Sequence, residues 1–159
     1  MATIKKKTLG EQQYGGFTPD GNVTTLRATL VTNAAGAVAD SDSAAAAAIG
    51  DVVVLELLPQ GFVLEDAQLI VSTGMTANAT GSLGFVYADG VDSIDAPQDA
   101  AYFGAGLNAA AAGRIRTAGV KAPVRLAKDA YLVWTQAGAA NAKAARIDVI
   151  VHGERMGPR

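Results

Sequence analysis

The chain has 159 residues, which suits one domain and is long enough to bury a core without staples. Half of the residues are hydrophobic, 6% are aromatic, none is cysteine, and the formal charge is −2. That excludes a disulfide framework, thiolate metal sites and cysteine catalysis, and it leaves Val, Leu and Ile to build the core. No apolar run is long enough to span a bilayer, and the basic start has no apolar stretch behind it, so the chain reads as soluble, with no membrane partner.

Residues 1–22 read as an arm and residues 23–159 as the folded domain. The arm carries Lys5, Lys6 and Lys7, then GEQQYGGFTPDG, with Tyr14 and Phe17 as isolated aromatics and no helical or strand period. Such a segment is either disordered or held against a partner, and the two aromatics favour the partner. VTTLRATLVT (23–32) alternates, with Leu26, Ala28 and Leu30 on one face, as a half-buried strand does. In the next stretch, Ser41-Asp42-Ser43 is placed to cap a short alanine helix ended by Gly50, or else the stretch is an ordered loop.

DVVVLELLP (51–59) is apolar on both faces apart from Glu56, which predicts a central strand closed by a Pro-Gln-Gly turn. GFVLEDAQLIVS (61–72) predicts a strand broken or bulged near Glu65-Asp66, and TGMTANATG (73–81) a polar hairpin loop. SLGFVYADG (82–90) sets Leu83, Phe85 and Tyr87 together before a turn. Residues 91–113 read as a variable segment anchored by Tyr102, Phe103 and Leu107. GRIRTAG is a short strand, PVRLAKDAYLVWTQ (123–136) is a strand pair or one strand broken at Lys128-Asp129, and ARIDVIVHG (145–153) alternates plainly. About eight short strands with Gly-rich turns and no amphipathic helix predict an all-β antiparallel sandwich, and eight is the jelly-roll number.

Charge is unevenly spread. Residues 39–99 hold ten carboxylates and no Lys or Arg, while residues 100–159 hold nine Lys or Arg against three acids. Either the fold presents complementary patches to a partner, or it interleaves the two halves and mixes them.

Chemistry finds little purchase. His152 shares a strand face with Asp148, but no activated nucleophile accompanies them and Gly81-Ser82-Leu83-Gly84 lacks the spacing of a nucleophile elbow, so no enzyme is expected. Asp89, Asp92, Asp95 and Asp99 are spaced three, three and four apart, without the alternation or closing glutamate of a calcium loop, and read as a solvated acidic loop. Gly104-Ala105-Gly106 is too short to cradle a phosphate, and one lysine tripeptide offers too few phosphate contacts for nucleic acid. No cofactor or metal is expected. Lys5–Lys7, Tyr14 and Phe17 remain as candidate interface residues, and Tyr102-Phe103 either plugs the core or anchors an interface.

The run IGDVVVLELLPQGFVLEDAQLIVSTGMTANATGSLGFVYADG (49–90), continued by PVRLAKDAYLVWTQAGAA and the closing strand, resembles small structural proteins of tailed bacteriophages. It is similar to capsid decoration or cement proteins, and the resemblance covers roughly residues 23–153. It implies a jelly-roll domain, made in the host cytoplasm and carried on the capsid exterior. Its implied partners are the major capsid protein and, as a dimer or trimer, further copies of itself. Another virion part, such as a tail or fibre-base component, and a carbohydrate-binding module are the competing readings; the second wants more exposed aromatics than this chain has.

Overall fold

The computed structural model describes residues 2–5, 23–117 and 119–156. Among them are ten strands: β1 (Thr3–Lys5), β2 (Val23–Thr32), β3 (Val52–Leu58), β4 (Phe62–Thr73), β5 (Thr80–Tyr87), β6 (Asp99–Asn108), β7 (Gly113–Arg116), β8 (Val124–Arg125), β9 (Ala130–Ala137) and β10 (Ala145–Arg155). One sheet has the order β1-β3-β9-β5-β6 and the other β2-β10-β4-β7, with β8 also on β4.

The pairing is nested. β2 pairs with β10, β3 with β9, β4 with β7 and β8, and β5 with β6, all antiparallel. The chain is therefore one long hairpin, tipped by the β5–β6 connection and rolled so that successive rungs alternate between two facing sheets. That is the jelly roll, and it is the all-β sandwich the alternation predicts. The period of two decides which side chains meet between the sheets. Ala28 and Leu30, Leu64, Leu69 and Val71, Leu83 and Phe85, Leu132 and Trp134, and Ile147, Val149 and Val151 form one buried cluster.

Several expectations need correction. Residues 73–81 are not a hairpin loop: β4 and β5 lie in opposite sheets, so the segment crosses the end of the sandwich and buries Met75 and Ala79 there. Among the described strands only β5 and β6 are both consecutive and paired; apart from the β7–β8 connection, which stays beside β4, turn signals elsewhere mark sheet changes. Of the two readings of the stretch after Ser41, the ordered loop is the one found: the alanines form no helix and are pinned by the Ala37–Ala46 bridge. Ser41 Oγ donates to the carbonyls of Val38 and Ser43 rather than capping a helix.

The segment read as variable contains β6, which pairs only with β5 and slips register twice. Alanine and glycine give it no hydrophobic alternation to read. Between β8 and β9 the chain changes sheet at Lys128-Asp129. The irregularity expected near Glu65-Asp66 is a bulge: His152 faces Asp66 and Gly153 faces Leu64, so Glu65 has no opposite number.

Candidate assembly interface

The pairing registers sort the loops onto two ends. Val23 lies opposite Glu154, Phe62 opposite Arg155, and Tyr87 opposite Ala130. One end therefore gathers the start of β2, the β3–β4 turn, the β5–β6 loop, the segments around β8 and the end of β10. Thr32 opposite Ala145 and Thr80 opposite Ala137 define the other.

The two ends differ in chemistry. Among the described residues six large apolar side chains are exposed, and four belong to the first end: Val23, Val91, Ile94 and Met156; Val120 lies in the β7–β8 connection, along the edge of β4 between the levels of Gln68 and Leu64. Ile94 is 99% and Val120 100% exposed. Hydration of these side chains is unfavourable, and among the described residues no neighbouring element covers them. The second end is knitted by polar contacts around the fully buried Asn141. Its amide donates to Thr32 Oγ1 at 2.9 Å and to the Lys143 carbonyl at 2.8 Å, and its Oδ1 accepts from Thr76 N–H at 3.1 Å.

The residues singled out in the sequence separate. Lys6, Lys7, Tyr14 and Phe17 lie outside the described residues. Lys5 ends β1, which pairs in parallel with β3 and buries Ile4, so residues 3–5 of the leader belong to the sandwich sheet. Its ammonium sits 5.8 Å from the centre of the Tyr131 ring.

Tyr102 and Phe103 are 6% and 2% exposed, which takes them off any surface a partner could touch. They plug the core, stacked edge-to-face on each other and, through Tyr102, on Phe85. Tyr102 Oη donates within hydrogen-bond distance of the carbonyls of Leu64 and Ala122, tying the edge strand β6 to the facing sheet.

The carboxylates of the acidic loop do not converge. Asp89 pairs with Lys128 at 2.7 Å, Asp99 pairs with Lys121, and Asp92 accepts from the N–H groups of Ser93 and Gln98. Among the described residues no three His, Cys, Asp or Glu side chains are grouped to hold a metal ion. With Asp66–Arg116 at 2.9 Å, three ion pairs join the acidic middle of the chain to its basic last third. The charge segregation of the sequence is interleaved by the fold.

His152 faces Asp66 across the β10–β4 pair, and its Nδ1 lies 3.2 Å from Thr25 Oγ1. Asp148 is held elsewhere, by Arg146 at 2.9 Å and by Thr29 at 3.1 Å, so it does not orient the imidazole. Around His152 lies only a shallow hollow, lined by Asp66, Gln68 and Arg116.

A chain of the capsid of Ralstonia phage GP4 superposes with a TM-score of 0.62 at 18% identity, over 98% of this chain and 99% of that one. A chain of the cyanophage Pam1 capsid asymmetric unit superposes with a TM-score of 0.55 at 13% identity, over 89% and 91%. The shared property is the fold. No family profile matches the sequence, and no curated protein matches it either.

The exposed apolar end was not picked out from the sequence, although a signal for it exists. In DGVDSIDAP, Val91 and Ile94 stand alone among charges, glycine and proline. An apolar side chain with no alternating companion has no face of its own element to bury it.

Proposed function

We propose that this protein is a non-enzymatic structural component of a tailed-phage virion, one that binds the outside of the capsid and stabilises the shell by bridging its subunits. The observation that carries the reading is the end-to-end likeness to a chain of the GP4 capsid: nearly all of both chains align, so the two have nearly equal length. A fold alone does not confer a role. The surface supplies the second support, because a rigid jelly roll with one apolar end and one polar end suits docking by the apolar end.

The energetics fit a lattice. Burying a Val or Ile side chain is worth roughly 1.5–3 kcal/mol, but association itself costs several kcal/mol, so one end of one copy binds weakly. Copies that touch one another as well as the shell add those weak contacts through a high effective concentration. Bridging neighbouring shell subunits then slows their separation.

Co-sedimentation with purified heads lacking this protein tests the reading. Saturable pelleting with the heads supports it; protein that stays in the supernatant at every ratio overturns it. Pelleting with isolated tails, and not with heads, would move the protein to another part of the virion.

A further inference from the structure

The parallel strand β1 occupies a built slot. Ile4 is 1% exposed and belongs to the main hydrophobic cluster, so an empty slot leaves a hole in the core. On one side β1 runs along β3, with Thr3 beside Val52, Ile4 beside Val53 and Lys5 beside Val54. On the other side Asp42 closes over it: Asp42 Oδ1 accepts the Lys5 N–H at 3.0 Å and the Asp42 N–H donates to the Lys5 carbonyl at 3.1 Å. At its foot, Asp51 Oδ1 accepts the Ala2 N–H at 2.8 Å. Two carboxylates from the acidic stretch of the chain thus clasp a strand whose sequence continues as Lys5-Lys6-Lys7. The slot reads backbone and one aliphatic side chain, which is how a sheet edge recognises an added strand.

We propose that this slot is filled in exchange, with residues 2–5 of one copy seated beside β3 of a second copy of this chain. Chain length is the reason. Seventeen residues, 6–22, lie between β1 and β2. Within one molecule the hop is short, because Lys5 is level with Val54 and the end of β3 lies at the same end of the sandwich as Val23. Four residues of rise and one intersheet gap amount to roughly 13 Å and roughly 10 Å. The connecting residues reach about 60 Å when extended. The connection is more than twice as long as closure on its own slot needs, and long enough to cross to a neighbour.

Exchange keeps every contact of the slot and changes only which chain supplies the strand, so it costs little. It gives self-association that depends on no particular shell. The proposal therefore stands or falls separately from the capsid reading.

Cysteine pairing tests it cleanly, because the chain has no cysteine of its own. Thr3 and Val52 are register partners on adjacent strands, at a spacing of about 4.8 Å that a disulfide spans. Thr3→Cys and Val52→Cys are made on separate, differently tagged chains and co-expressed, and the double variant is made on one chain. After mild oxidation, exchange predicts a disulfide between peptides of the two tagged chains. It also predicts that the double variant runs at twice the monomer mass or more on a denaturing, non-reducing gel. A disulfide found only within single chains of the double variant overturns the proposal, and so does the absence of any link between positions 3 and 52.

Discussion

Gly81 on β5 and Trp134 on β9 are diagonal neighbours in the paired strands, so close that a β-carbon on residue 81 would lie 2.1 Å from the indole ring. Trp134 is fixed from the other side as well, because its Nε1 donates to Gln136 Oε1 at 3.0 Å and Gln136 Nε2 donates to the Ala139 carbonyl at 2.7 Å. The ring has no room to retreat. The glycine is there so that the largest side chain of the core lies flat over the backbone of β5.

Gly81→Ala is therefore an overpacking change, and it should cost about 1–3 kcal/mol of stability. The midpoint of denaturant unfolding measures it, and an unchanged slope would show that the effect is on the native core. Gly90→Ala makes a useful contrast: nothing stands near its β-position, and its cost comes only from a backbone at φ 72°.

Asn141→Asp should destabilise the polar end by about 2–3 kcal/mol. The amide nitrogen becomes an oxygen facing the Lys143 carbonyl, which leaves buried acceptors opposed with no proton between them. Asn141→Ser should lose less, because a hydroxyl still donates. Thermal unfolding of the two variants, compared with the parent, checks the order.

Asp51 gives the fold an acid-sensitive joint. The Ala2 N–H, and to a lesser degree that of Ala48, hold its pKa below the ordinary carboxylate value. A carboxylate with a depressed folded-state pKa stabilises the fold above its unfolded pKa of about 3.9, and that contribution disappears as pH falls through the folded value. Stability should thus fall as pH drops below about 4. Asp51→Asn should cost about 1–2 kcal/mol at pH 7 and show a shallower decline in acid. Urea midpoints taken from pH 7 down to pH 3 measure both.

Ile94→Asp should leave stability within about 0.5 kcal/mol, since its side chain is packed on nothing in the monomer. If the apolar end is the docking face, it should weaken binding to heads by about tenfold or more, that is about 1.4 kcal/mol. Exposed charge changes at the other end, such as Lys143→Glu, should not. Pelleting isotherms for the two variants separate the ends. His152→Ala should bind as the parent does.

How much of this was legible in the sequence depended on where each strand sits. Strands with one face on the core and one toward solvent, such as β2 and β10, declare themselves by alternation, and the registers agree with it. β6 stayed hidden because its two buried side chains, Tyr102 and Phe103, are consecutive and so show no alternation, and because Gly104 and Gly106 take positive φ. Hairpin signals misled because a jelly roll sends nearly every turn across to the opposite sheet, and a short polar segment looks the same whether it doubles back or crosses. Tyr102-Phe103 could not be resolved into core or surface without knowing that β6 turns them toward Phe85. The apolar end is assembled from five separate segments that only the registers bring together.

The most direct test is an image reconstruction of particles with and without this protein. The account predicts difference density for whole jelly-roll domains on the outer surface of the head, seated with the end that carries Val91 and Ile94 against the shell. Density confined to the tail, or domains seated with the Asn141 end against the shell, would contradict it.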